Sequence, residues 1–391
     1  MTMPKIAHFI IVATIIPLFT TCITPFTPEG LHTQGGTLVI EGDIILNGTT
    51  IVFLSETEPL DSTSPTIYIT EAQIFVKSDQ EEVYPGVLVM EEDAPPHFVI
   101  DTQTLPFDRK YSLCVTLEDG TQFVSDPLSP MNTPEIDAID FLVKEEGVDV
   151  MVSAHGDQHA SAYYKWNYSE DWEIASRYPT NLYCSPTYIL STYPTPYPIL
   201  YCWKSSKSSA ILIAKTDHLQ SNTVYHKINS IHCTSDKISY LYSIEVEQIS
   251  ISREAYIYWE NLLRNTEEVG GIFAPQPSEM IGNIRTVQNI DDKNIENKDV
   301  RVIGYISVGT AVTKRVYVSD QDLGVYRQPF VCYAFDPSRY PPDRVPHPFD
   351  LGYLPVGNAV GLNVEWIYRD CVDCTLRGGK DKPSFWPNDH E

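Results

Sequence analysis

From Thr37 onward, apolar and polar positions alternate in short runs, the period of strands with one buried face. Residues 37–46 and 51–55 flank Asn47-Gly48, a dipeptide that tolerates the positive φ angles of a tight turn, so the pattern predicts a hairpin. Residues 72–77, 97–101, 111–117 and 122–125 read as further strands, the last two joined by Glu118-Asp119-Gly120. Within 111–117, Tyr111, Leu113, Val115 and Leu117 fall on one face and Cys114 on the other. Short strands with polar turns at this spacing predict an immunoglobulin-like antiparallel β-sandwich over residues 37–130, bounded by the Pro-rich stretch 127–134.

The pattern then continues as a larger β-rich region over 134–325. Its predicted strands are 136–143, 148–153, 160–172, 210–214, 224–231, 239–251, 283–287, 300–309 and 314–319. In 239–251, Tyr240, Tyr242, Ile244, Val246 and Gln248 share one face, whereas Leu241, Ser243, Glu245 and Glu247 share the other. One amphipathic helix stands out at about 252–268. Ser252 can cap it, Ala255, Tyr258, Trp259, Leu262 and Leu263 recur at helical spacing, and Gly270-Gly271 ends it. Residues 326–391 are rich in Pro, Cys and Trp with weak periodicity, and are expected to pack on the second region. No internal repeat is present. The fold class expected is therefore mainly β, a sandwich followed by a larger β-rich domain with one helix.

The first 36 residues follow a different logic. Lys5 precedes an apolar run from Ile6 to Phe19, and Cys22 follows closely, which is the order of a secretory signal. The run is shorter than the roughly 20 residues a spanning helix needs, and His8, Thr14 and Pro17 interrupt it. A signal ending in cysteine reads as a lipoprotein signal over 1–21, with Cys22 carrying acyl lipid such as palmitate, and 22–36 as a Thr/Pro/Gly tether. Phe19 and Thr21 depart from the usual Leu and small residue, and an ordinary cleaved signal is the competing reading. Ile23 stands where the inner-membrane retention signal has Asp, so a lipid-anchored outer-membrane location is expected.

Charge and cysteine content narrow the partners. Against 27 Lys and Arg stand 52 Asp and Glu, a formal charge of −25 that disfavours nucleic acid and otherwise serves solubility. With Cys22 lipidated and Cys114 isolated on its strand face, Cys184, Cys202, Cys233, Cys332, Cys371 and Cys374 remain as disulfide candidates in an oxidising compartment. Six cysteines allow 15 connectivities. The pairing expected from chain proximity is Cys184 with Cys202, closing the loop between them.

Candidate chemistry is sparse. His155, Asp157 and His159 alternate in a way that suits a metal, but a solvated hairpin loop is the plainer reading, and neither metal nor cofactor is expected. No Gly-x-Ser-x-Gly, His-Glu-x-x-His or phosphate-binding glycine loop occurs. Between Tyr163 and Trp203 lie nine Tyr and three Trp, interleaved with Pro179, Pro186, Pro194, Pro196 and Pro198. Tyr188, Tyr193 and Tyr197 are the candidates for a partner-binding surface there, because Tyr supplies large contact area at low entropic cost. The alternative is a loop folded over its own domain.

Several stretches together resemble a known family. They are residues 38–42 (Leu-Val-Ile-Glu-Gly), 52–55, 111–113, Asp119-Gly120, 163–166 (Tyr-Tyr-Lys-Trp), Cys202-Trp203 and 242–246. Residues 254–259 lead into 271–278 (Gly-Ile-Phe-Ala-Pro-Gln-Pro-Ser) and 282–284. Gly304-Tyr305, Cys371 with Cys374, Gly378-Gly379 and 383–386 complete the series. In this the chain resembles the Bacteroidota outer-membrane lipoproteins known as domain of unknown function 4249. The resemblance implies an exported lipoprotein of a family often encoded beside TonB-dependent outer-membrane receptors, with no established reaction. The function expected is a non-enzymatic accessory of such a transporter in nutrient capture or uptake. A glycan- or peptide-active envelope hydrolase and a structural or adhesive envelope protein are the alternatives.

Overall fold

The computed structural model describes residues 36–58, 65–91, 94–157, 160–193, 199–267, 281–290, 293–296, 301–324, 331–357 and 364–387. The signal and Cys22, His159, Tyr197 and the helix stop at Gly270-Gly271 lie outside the described residues.

The first region contains β1 (Leu38–Gly42), β2 (Ile44–Ile45), β3 (Thr49–Glu56), β4 (Ala72–Ser78), β5 (Val83–Glu91), β6 (Ala94–Asp101), β7 (Tyr111–Leu117) and β8 (Gln122–Ser125). Three strands from much later in the chain complete it: β18 (Ile284–Ile290), β19 (Lys293–Glu296) and β20 (Val302–Ile303). Residues 284–303, expected within the second region, thus extend the first sheet at both ends. The order is β19-β18-β8-β7-β4-β5-β6-β3-β1-β20, antiparallel except for β1 with β20.

The strand that turns this sheet into a sandwich is β5, which the alternation did not reveal. Its first part, Val83 to Pro85, pairs with β4, and its second part, from Gly86, pairs with β6. Pro85 lacks a ladder donor, and Gly86 sits where a Cβ would lie 3.1 Å from Ile100 Cγ1 and 3.2 Å from the Ile74 carbonyl oxygen. One strand therefore serves two sheets, and their inner faces enclose one core. The period-2 pattern decides what enters it: Leu38 and Ile40, Val52 and Leu54, Ile74 and Val76, Phe98 and Ile100, Leu113 and Val115 are all buried. Each such side chain contributes about 1.5–3 kcal/mol of hydrophobic stabilisation. At the far ends the sheet nearly closes. Asn283 Nδ2 donates to the Ile306 carbonyl at 2.8 Å, and the Ile306 amide donates back to Asn283 Oδ1 at 2.9 Å. A Cβ on Gly282 would stand 1.9 Å from the Gly304 carbonyl oxygen, so only glycine permits this approach.

The second region packs two sheets around a second core. A three-stranded sheet, in the order β16 (Thr223–His232), β10 (Gly147–His155), β9 (Ile136–Lys144), faces a five-stranded one. The latter contains β14 (Tyr201–Lys207), β11 (Tyr163–Ala175), β17 (Leu241–Ser250) and β22 (Ala311–Ser319), with β15 (Leu212–Lys215) also paired to β11. As the alternation predicts, Tyr242, Ile244, Val246 and Gln248 of β17 are buried. Trp166 stacks between Tyr164 and His226, with centroids 5.8 and 5.2 Å away, and its Nε1 donates to Gln248 Oε1 at 2.9 Å. A buried indole thereby keeps its hydrogen bond.

The helix α1 (Arg253–Glu267) follows β17 directly, and the Ala255 amide donates to Ser252 Oγ at 3.1 Å, the expected cap. Ala255, Tyr256 and Tyr258 are buried against Ile249, Ile251, Ile213 and Tyr305. A second, four-residue helix, α2 (Asp320–Leu323), follows β22. The two regions are joined through Asp43, between β1 and β2. Its carboxylate accepts from Lys165 Nζ at 2.6 Å and from the Ser307 amide at 3.1 Å, while β2 pairs in parallel with β21 (Val308–Gly309). The mainly β fold class, with antiparallel sheets and one long amphipathic helix, is as the sequence predicts.

Candidate functional site

The aromatic-rich segment 163–203 does not form one loop. Most of it is β11, β14 and a small hairpin of β12 (Leu182–Cys184) and β13 (Leu190–Thr192). The long strand consumes Tyr164, Trp166 and Trp172 in the second core, and Tyr178 and Tyr193 pack on a smaller cluster of Ile199, Ile367, Cys371 and Val372. Tyr193, expected at a partner surface, is thus half-buried beneath it, and its hydroxyl is held above the ordinary phenol range by desolvation first and Asp373 second. Among the described residues of this segment, the exposed rings, Tyr183 and Tyr188, belong to this hairpin.

Tyr188 is the centre of the hairpin tip. Its backbone has φ = 62°, a left-handed conformation that a bulky residue adopts only under constraint. Ser185 supplies the constraint: its carbonyl accepts from the Tyr188 amide at 2.9 Å and its Oγ from the Ile189 amide at 3.0 Å. The C-terminal segment supplies more. Tyr188 Oη donates to Asp350 Oδ2 at 2.7 Å, which raises the phenol's pKa through that hydrogen bond. The ring lies 4.2 Å from the His347 imidazole, which in turn meets Trp366 edge-on at 5.0 Å. Strain of this kind, typically about 1–3 kcal/mol, persists where surrounding contacts over-determine a conformation, and such positions cluster at functional sites. Around the ring, Tyr183, Ile189 and Leu190 are exposed, Ile189 at 62%. The hairpin thus presents exposed aromatic and aliphatic side chains at and beside its tip.

Two disulfides make the base rigid. Cys202 pairs with Cys374 and Cys332 with Cys371, so the Cys371-x-x-Cys374 motif is divided between two bridges. The expected Cys184–Cys202 bridge does not form. Cys202 faces inward on β14, where the returning C-terminal segment brings Cys374 within 5.6 Å Cα to Cα, while Cys184 is a free, buried thiol raised by burial and by Asp350. Cys114 is free, as the strand pattern implies, and Cys233 is free as well. Beyond the bridges, the Trp203 and Gly379 backbones exchange two hydrogen bonds of 2.8 Å, and Trp386 Nε1 donates to the buried Glu173 carboxylate at 3.1 Å. The surface hairpin itself is fastened by Thr180 Oγ1 donating at 2.8 Å to the Pro355 carbonyl in β23 (Tyr353–Val356), which pairs with β24 (Glu365–Tyr368).

The other candidates resolve differently. His155 Nδ1 bonds Asp137 at 2.8 Å and its pKa is raised by that bond, while Asp157 accepts from the Ala160 amide at 2.8 Å as a loop residue does. No group of three metal-ligating side chains occurs among the described residues. The buried carboxylates of β11 serve packing. Glu170 accepts from Tyr242 Oη at 2.6 Å and from Asn229, and pairs with Lys237; Asp171 pairs with Arg315 at 2.9 Å. Burial, with Glu170 beside it, holds the Tyr242 phenol far above its ordinary range. Sequence reasoning missed His347, Asp350 and Trp366. Their signal was only the aromatic and Pro-rich composition of the tail.

The sequence pattern of a family described as domain of unknown function (DUF4249) matches residues 23–315. No curated protein matches the chain.

Proposed function

The chain belongs to the domain of unknown function 4249 family, and from that premise we propose that it is a lipid-anchored envelope protein that acts by binding a partner rather than by catalysis. The observation that carries the reading is the strained, doubly fastened Tyr188 tip with exposed Tyr183, Ile189 and Leu190. The contacts with His347 and Asp350 hold the strained conformation, and about half of the Tyr188 surface stays exposed beside its neighbours. Exposed aromatic and aliphatic side chains on a fastened hairpin suit a protein interface, where Tyr is among the residues that concentrate binding energy. The partner class follows from the family's setting: an outer-membrane receptor of the TonB-dependent kind, with the chain assisting nutrient capture or uptake. Cys22, at the end of the signal-like segment, supplies the anchor and the outer membrane the location.

The test is purification of the native complex from membranes. Replacing Tyr183, Tyr188 and Ile189 by Ser should abolish co-purification of the receptor with little change in melting temperature, because these side chains contribute little to any core. A stable triple variant that still brings down the receptor would overturn the assignment of the surface.

A further inference from the structure

A second surface, on the first sheet, has a different chemistry. The outer face of the sheet formed by β4, β7, β8 and β18 is hollowed into a groove of about 780 Å³. That volume falls in the range of small-molecule sites, roughly 300–1,000 Å³. Because Ile74, Val76, Leu113, Val115 and Phe123 turn inward to the core, their alternating neighbours turn outward and line the groove.

Register arranges these neighbours in two rows across the strands. In one, Phe75 lies opposite Cys114, Cys114 opposite Val124, and Val124 opposite Arg285. In the next, Gln73 lies opposite Thr116, Thr116 opposite Gln122, and Gln122 opposite Val287. The first row is an apolar floor of Phe75, Cys114 and Val124 that ends in Arg285, and the second is a ladder of amide, hydroxyl and amide that ends in Val287. No hydrogen bond among the described residues occupies the side chains of Gln73, Thr116 or Gln122. Each amide offers both donor and acceptor, and the hydroxyl does the same.

We propose that this groove binds a neutral oligosaccharide. A pyranose ring has an apolar C–H face, which stacks on an aromatic side chain, and a rim of hydroxyls, each needing a donor or an acceptor beside it. The Phe75 row matches the face and the Gln73–Thr116–Gln122 row matches the rim. Charge selects the neutral sugar. Lys77 is paired with Glu81 at 2.5 Å and Arg285 with Asp126 at 3.2 Å, so among the described residues each cation of the lining already faces a carboxylate that would compete with a uronate or phosphate. The formal charge of −25 would repel an acidic glycan as well. A peptide added as an extra strand is a poorer fit, because β7 is paired on both sides and offers no free backbone edge. The site is separate from the Tyr188 surface and does not depend on the reading given to it.

The experiment is a glycan array probed with the full chain and followed by calorimetry on each hit. Neutral oligosaccharides should be retained and acidic ones excluded. Phe75→Ala and Gln122→Ala should each weaken the calorimetric Kd at least tenfold. Val124→Lys, which places an amine over the floor, serves as a second variant where an alanine variant unfolds. Retention of acidic glycans alone, no retention of any glycan by the folded chain, or affinity unchanged in all folded variants would each overturn the proposal.

Discussion

Removing the Cys202–Cys374 bridge should cost more stability than any other single cross-link change in this chain. The two cysteines are 172 residues apart, and the chain-entropy cost of closing so long a loop corresponds to about 5 kcal/mol. For Cys332–Cys371, at a separation of 39, the same relation gives about 4 kcal/mol. The native geometry adds to the difference: Cys202 and Cys374 are fully buried and sit beside the Trp203–Gly379 backbone pair, so alanine also leaves unfilled core. Cys202→Ala/Cys374→Ala should therefore lower the melting temperature by roughly 6–9 °C, given an unfolding entropy of about 2.1 cal/mol/K per residue. Urea unfolding of the oxidised proteins, fitted for midpoint and slope, measures the same loss at 25 °C. The Cys332→Ala/Cys371→Ala pair should lose less. A reversed order, or a loss below about 1 kcal/mol for the longer bridge, would refute the reasoning from loop length.

Asp43→Asn should destabilise by about 3–5 kcal/mol in denaturant unfolding, since it strands the buried Lys165 ammonium, whereas Asp43→Leu combined with Lys165→Met should recover most of that loss. His155 should titrate above 6.5 by NMR and return toward that value in Asp137→Asn. Because its folded pKa is raised, the stability it adds is fully present below pH 6.5 and fades as pH rises through the raised value. Cys114, whose thiol burial pushes up to about 11, should resist iodoacetamide at pH 8 in the folded protein and react once unfolded. Cys22→Ser should move the protein from the membrane to the soluble envelope fraction; unchanged membrane association would dispose of the anchor.

Local periodicity made faces legible but not partners. The inward set of β7 and β17 and the cap at Ser252 follow from spacing alone, because each is settled within ten residues of chain. What β5 does is not local: Pro85 and Gly86 look like a break in a strand, yet they mark its passage from one sheet to the other. The bridge between Cys202 and Cys374 was hidden for the same reason, since proximity in sequence favoured Cys184 and the tail's return path leaves no periodic trace. At the Tyr188 hairpin, composition identified an aromatic segment. It did not separate Tyr188, held outward by Asp350 and His347, from Tyr193, which packs inward.

The closure of the first sheet by β18 and β20 sets the order in which the molecule can mature. Chains emerge N-terminus first, and residues 38–125 are made long before residues 284–303. Until those arrive, β8 and β1 are both open edges, each with a row of unpaired backbone groups that invites pairing with a neighbouring copy. The nascent N-terminal half is therefore an aggregation hazard that only the far end of the chain removes. Chaperone occupancy during synthesis should be greatest over that interval, and fragments ending before residue 284 should be recovered as insoluble material.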